Sequence, residues 1–318
     1  MKKLEGKVAL VAGATRGAGR GIACMLGEAG ATVICTGRSV RGKPATGTRP
    51  ETIEETAEMV TARGGRGVAI QVDHTVDAQV EALCARIKQE HGQLDVLVND
   101  VWGGDELTEF GQPFWKLDLA KARLMLERSL LSHIITARYA VPLMLERRRG
   151  LVVEITDGDS FGYRGNLLYD LVKMAVIRLA FDMARELRRH PITSLAVTPG
   201  FLRSEAMLDL FGVTEANWRD GTAKEPHFIA SETPFYVGKA VAALATDPNV
   251  GAKAGRVWSS WQLAREYGFK DVDGSQPDWG AYFERTFGRR YVVADEAAYA
   301  SWQNGPMELV SPDWPKED

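Results

Sequence analysis

Tyr169 and Lys173 lie four residues apart at the head of an amphipathic helical pattern, a spacing that puts both side chains on one helix face. A free phenol has a pKa of about 10 and is a poor acid or base at neutral pH. An ammonium within reach favours the phenolate, and a drop of about 3 units corresponds to roughly 4 kcal/mol of differential stabilisation. Of the eight tyrosines, only Tyr169 has a lysine at that distance. Such a pair can give or take a proton while a bond to hydrogen changes at a neighbouring carbon. Just upstream, Glu154, Thr156, Asp157, Asp159 and Ser160 set carboxylates among hydroxyls directly after an apolar run. The aspartates pose a problem, because an ionised carboxylate repels a developing oxyanion instead of donating to it.

A second constellation sits near the start of the chain. Gly13-Ala14-Thr15-Arg16-Gly17-Ala18-Gly19 follows an apolar run and opens a helical pattern. Glycines there let the backbone turn tightly and approach a pyrophosphate, which rests on the N–H groups left unpaired at a helix N-terminus. A glycine-rich turn alone also suits an ordinary strand-to-helix connection. Its place after the first strand of an alternating chain points to a dinucleotide. The next apolar run ends at Thr36-Gly37-Arg38. An acid near that point takes the ribose 2′-hydroxyl of NAD, whereas an arginine accommodates the 2′-phosphate of NADP. Arg38 and Arg16 offer two guanidinium forks, so NADP(H) is the expected cofactor.

These residues need a scaffold, and the hydrophobic pattern supplies one. Residues 8–12, 32–36, 68–72, 94–98, 151–155 and 194–198 are nearly continuous apolar runs, the mark of strands covered on both faces. Helical periodicity fills the gaps, most clearly over 78–91, 123–147 and 169–190. The alternation predicts an α/β fold with a Rossmann-like, doubly wound parallel sheet, because parallel strands need crossover helices. Residues 38–50, rich in Gly, Pro and Thr, read as a long loop before a helix at about 51. The division expected is one domain over 1–268 and a C-terminal extension over 269–318. That extension is rich in Trp, Tyr, Asp and Gly, has little periodicity and is expected to pack on the domain.

Composition narrows the function classes. A hydrophobic fraction of 45% and a net charge of −3 suit a globular protein without the basic footprint of a nucleic-acid binder. No run approaches the length of a membrane span. Cys24, Cys35 and Cys84 are odd in number and lack metal-ligand spacing, and the five histidines are scattered, so neither a disulfide framework nor a metal site is expected. A cytoplasmic setting follows as the expectation.

The motifs together resemble the short-chain dehydrogenase/reductase family: Gly13-x-x-x-Gly17-x-Gly19, Asp73, Asn99, Tyr169-x-x-x-Lys173 and Pro199-Gly200 match it in order and spacing. The segment from Gln262 to Gly268, followed by Asp271-Val272-Asp273-Gly274, resembles the branch around dehydrogenase/reductase family member 1. The resemblance implies hydride transfer at a carbonyl, or less readily an imine, of a small apolar or aromatic molecule. Tyr169 would be the acid or base, and Lys173 would lower its pKa and hold the cofactor's ribose. Asp73, with the adjacent His74, would contact the adenine, Asn99 with Thr15 would line the cofactor channel, and Pro199 to Ser204 would hold the carboxamide. Trp102, Ser160 and Phe201 lie on segments that would face substrate. Helices 123–147 and 169–190 would pair two copies into a homodimer.

Three departures mark the catalytic end. In strand register Asp157 replaces the family's serine, with Thr156 before it and Ser160 the next hydroxyl; Ser129 stands where the family has a helical asparagine; and the usual Asn-Asn-Ala-Gly becomes Asn99-Asp100-Val101-Trp102. Either Asp157 meets the substrate, or Thr156 does the serine's work and Asp157 is structural. A cofactor-sensing binding protein with weak turnover is the alternative function.

Overall fold

A computed structural model describes residues 2–47, 49–288 and 293–303. The first half runs β1 (Val8–Ala12), α1 (Gly17–Glu28), β2 (Thr32–Gly37), α2 (Ile53–Ala62), β3 (Arg66–Gln71), α3 (Asp77–His91) and β4 (Val96–Asn99). It continues through α4 (Leu119–Leu126), a π-turn (Glu127–Leu131), α5 (Ser132–Arg147), β5 (Gly150–Ile155), α6 (Leu167–Glu186) and β6 (Ile192–Thr198). Then come α7 (Glu205–Phe211), α8 (Pro234–Thr246), β7 (Val257–Ser259), α9 (Ser260–Tyr267), α10 (Trp279–Phe287) and α11 (Glu296–Gln303).

Among the described residues the strands form one sheet in the order β3-β2-β1-β4-β5-β6-β7, every neighbouring pair parallel. The order reverses between β1 and β4, where a crevice opens beyond the strand ends. Register brings those ends level: Ala12 pairs with Asn99, and Asn99 with Glu154. The glycine turn, the Asp100–Trp102 segment and the Thr156–Asp157 segment therefore leave the sheet side by side.

Both sheet faces are covered, which is why the strands read as continuous apolar runs. Ala9 and Val11 pack with Ile22, Leu26, Val237 and Val241 on one side. Val8 and Leu10 pack with Val80, Leu83, Ala140 and Met144 on the other. Helix α6 starts at Asn166, whose side chain accepts from the N–H groups of Leu168 and Tyr169 and so sets where Tyr169 points.

The structure departs from the sequence reading in three places. The expected helix over 123–147 is a longer rod interrupted by the π-turn, and Ser129 lies inside that turn. Strand β7 was not expected; three residues are too few to show periodicity. The extension carries two helices, because its Asp and Gly residues act as caps: Asp278 accepts from Ala281 N, and Gly288 ends α10 in the left-handed region. The extension is tied down by Asp271, which accepts from Thr233 N at 2.8 Å, and by Asp273, which pairs with buried Arg203 at 2.8 Å. Residues 304–318 of the expected extension lie outside the described residues.

Candidate active site

A cavity of about 620 Å³ lies over the strand ends at the crevice. One end is walled by Gly13, Thr15, Arg16 and Gly17, with Arg38, Asp73 and His74 beside them. The other end is walled by Thr156, Asp157, Tyr169 and Lys173, with Pro199, Gly200, Phe201 and Ser204 facing them and Trp102 at the edge. Most of the expected site residues thus share one space. Gly19, Asn99, Ser129 and Ser160 are not on its wall.

At the glycine end the geometry favours an anion. Gly13 has φ of 90°, and a Cβ there would collide with the Asp100 backbone. Gly19 serves from behind, since the Gly13 carbonyl fills the space its Cβ would take. Helix α1 has no side-chain cap, and Gly17 N donates at 2.8 Å to the carboxylate of Glu205 from α7. A helix N-terminus that already attracts a carboxylate suits a phosphate. Arg16 stands 3.9 Å from Glu51, which Arg49 clamps at 2.5 Å. Arg38 stands 3.9 Å from Asp73. The His74 ring turns inward between the hydroxyls of Thr36 and Thr136, each at 2.8 Å, and burial pushes its pKa down to about 3.

Asn99 corrects the expectation that it lines the channel. Its amide is buried and donates to Glu154 Oε1 at 2.7 Å. The other Glu154 oxygen meets His133 Nδ1 at 2.6 Å, and His133 Nε2 faces the Val101 carbonyl at 3.1 Å. Both ring nitrogens face acceptors, so the pair holds a proton on each nitrogen or one on the carboxyl. This buried chain braces the Val101–Trp102 turn from below. Its signal in the sequence is Glu154 itself, a carboxylate inside an otherwise apolar strand.

The catalytic end also differs from expectation. Tyr169 donates its hydroxyl proton to Asp157 Oδ2 at 2.8 Å. Burial and the adjacent Asp157 carboxylate raise the phenol's pKa well above its ordinary value, against the expected lowering by Lys173. The Lys173 ammonium lies 4.0 Å from the Trp102 ring centroid and 5.6 Å from that of Tyr169. Burial lowers the pKa of Lys173, while Asp157, Asp100 and Asp105 oppose the drop. Asp100 is pushed up to about 7 by burial, with Lys173 and His133 pulling the other way.

None of the candidate hydroxyls has a hydrogen bond to the phenol among the described residues. Thr156 donates to the Lys173 carbonyl at 2.7 Å, tying strand to helix. The Ser160 hydroxyl accepts from Gly162 N within its own loop. The Ser129 hydroxyl is buried without a hydrogen-bond partner among the described residues. Asp157 is held by Arg164, which donates to the carbonyls of Asp157, Ser160 and Gly162 and pairs with Asp170 at 3.0 Å. Sequence reasoning missed Arg164, and it missed Trp261 and Trp279, which also line the cavity.

Residues 7–211 match the family described as short chain dehydrogenase. The chain belongs to the short-chain dehydrogenase/reductase family. It is 36% identical over 276 residues to Dehydrogenase/reductase SDR family member 1 of Mus musculus, covering 85% of both chains. The Homo sapiens protein of that name is 34% identical over the same length. Oxidoreductase UcpA of Escherichia coli is 28% identical over 78% of this chain and 90% of its own. Among solved structures, a putative dehydrogenase from Xanthomonas campestris superposes with a TM-score of 0.70 at 23% identity, covering 86% of this chain and 94% of that one. A metagenomic short-chain oxidoreductase in complex with NADP gives 0.60 at 24% identity, covering 78% and 94%. These two likenesses carry the fold. Membership of the family places this chain among the short-chain oxidoreductases.

Proposed function

We propose that the protein transfers hydride between NADP(H) and a carbonyl or C=N carbon of a small apolar or aromatic substrate. The observation that carries this reading is the single cavity joining the glycine turn and two arginines to Tyr169, Lys173 and Asp157. Thr15 and Gly17 would hold the pyrophosphate, Arg16 and Arg38 the 2′-phosphate, Lys173 the nicotinamide ribose, and Pro199 to Ser204 the carboxamide. The bound cofactor supplies the hydride. Tyr169 and Asp157 form the acid–base pair beside it, and Trp102, Phe201, Trp261 and Trp279 give the apolar wall. Two copies would meet through Leu126, Leu131, Ile134 and Leu171, large apolar side chains left exposed on α4, the π-turn, α5 and α6. No described helix is long and apolar enough to cross a membrane.

A cofactor-sensing role is favoured by two observations, the raised phenol and the partnerless Ser129 hydroxyl. NADPH oxidation on a mixed panel of ketones, aldehydes and imines separates the readings. Turnover on any class supports hydride transfer. Tight NADPH binding with no turnover on any class supports the sensor.

A further inference from the structure

We propose that the group reduced here is a protonated imine, held through its N–H by the Asp157 carboxylate, and that the product is the corresponding amine. This rests on the hydride-transfer reading above and names its substrate class.

Carbonyl reduction needs donors aimed at the oxygen, where negative charge develops. The hydroxyls expected to supply them are engaged elsewhere or lie off the wall. The Tyr169 proton goes to Asp157, the Thr156 proton goes to the Lys173 carbonyl, and Ser160 and Ser129 are off the wall. What faces the cavity instead is an acceptor. Asp157 gives one oxygen to Tyr169, and its other oxygen has no hydrogen-bond partner among the described residues. A ketone oxygen is repelled by that carboxylate; an iminium N–H donates to it.

The surroundings agree. Asp100, Asp105 and Asp157 all bear on Lys173, while Arg164 spends its donors on loop carbonyls and Asp170. Arg164 is thus balanced by Asp170, and no cation among the described residues forms an ion pair with Asp157. Trp102, Phe201 and Trp279 present ring faces and edges along the wall, the kind of lining that accepts the body of an organic cation. Besides Lys173, the wall carries Arg16 and Arg38 at the glycine end and Arg128 packed against Gly103.

The step balances without a proton donor. The imine carbon gains hydride from the reduced nicotinamide, and the C=N π pair becomes the nitrogen lone pair. The nitrogen keeps its proton, so the imine is reduced and the nicotinamide oxidised while the total charge in the cavity is unchanged. Asp157 keeps the nitrogen protonated beforehand; Tyr169 orients Asp157.

Two measurements test this. The first is equilibrium binding to the full chain, read by tryptophan fluorescence, of tetrahydroisoquinoline (a cation at neutral pH) and of its neutral isostere isochroman. The cation should bind at least about tenfold tighter, and Asp157→Asn should erase the difference. Equal binding of both by the unsubstituted chain overturns the proposal. The second is turnover with NADPH of dihydroisoquinoline against tetralone. The imine should be preferred about 100-fold in kcat/KM, and Asp157→Ser should reverse the order by restoring a neutral donor. Tetralone preferred by the unsubstituted chain overturns the imine assignment but leaves the hydride-transfer reading standing. Turnover of neither class, with NADPH bound, overturns both. An unchanged NADPH affinity in each variant shows that the fold is intact.

Discussion

Replacing Arg38 with Asp should reverse the cofactor preference. Its guanidinium is 32% exposed and 3.9 Å from Asp73, which keeps one oxygen on Thr75. A charge-assisted hydrogen bond contributes roughly 1.5–3 kcal/mol, and this exposure places Arg38 at the low end, about 1.5 kcal/mol. The aspartate also adds repulsion. At about 5 Å from a phosphate, with an effective dielectric of about 40, each unit of charge costs roughly 1.5 kcal/mol. A phosphate monoester carries nearly two units, so the sum is about 4 kcal/mol, or NADPH binding weakened on the order of 1000-fold. NADH lacks the phosphate and should bind as well as before or better. Arg16→Ala should cost less, because Glu51 already sits 3.9 Å from that guanidinium. Titration of both cofactors by quenching of tryptophan emission reads the change. Equal dissociation constants for NADPH and NADH in the unsubstituted chain would refute the assignment of Arg38 and Arg16 to a 2′-phosphate.

Three further outcomes follow from the geometry. Tyr169→Phe should lower turnover of any ketone about 100-fold or more, that of an iminium far less, and NADPH affinity hardly at all; equal losses on both substrates would show that Tyr169 is the acid in each. Glu232 accepts from Gly200 N and Ser260, and burial pushes its carboxyl up to about 8 from 4.5. Between those values the folded state holds a proton the unfolded chain has lost, so stability falls as pH rises through that window. Glu232→Gln should flatten the fall in urea midpoint between pH 5 and pH 8, and an unaltered slope counts against a neutral carboxyl behind the Gly200 turn. Finally, mass measurement at micromolar concentration should give a dimer, and Leu131→Glu with Leu171→Glu should give a monomer; a monomer without substitution refutes the interface.

Local patterns made the fold legible. The β-branched runs, the glycine turn and the Tyr169–Lys173 spacing each fit within a few residues, and periodicity or backbone sterics read them directly. What stayed hidden depends on contacts across the sheet. Glu154 finds Asn99 through strand register and His133 through α5, and no spacing rule links the three. The direction of the Thr156 hydroxyl was equally hidden, since it is set by the Lys173 carbonyl of α6, which packing alone brings beside it. Asp157 was legible as a departure, but its bond to Tyr169 depends on the loop that Arg164 draws shut. Trp279 lies far along the chain from the strand ends it faces, and only the Arg203–Asp273 pair and its neighbours bring it there.

Tyr299 accepts from Val257 N at 2.9 Å on β7, the last strand of the sheet. A bare strand edge is a template for pairing with another chain. Because the hydroxyl that covers this N–H comes 42 residues later, the order of synthesis leaves the edge open for a time. At about 5–20 residues per second that interval is roughly 2–8 s on the ribosome, plus the time needed to clear the exit tunnel. The sheet can assemble before its cover exists. The extension that helps shape the cavity in the finished protein is therefore also the piece whose late arrival sets how long a nascent chain is open to sticking to its neighbours.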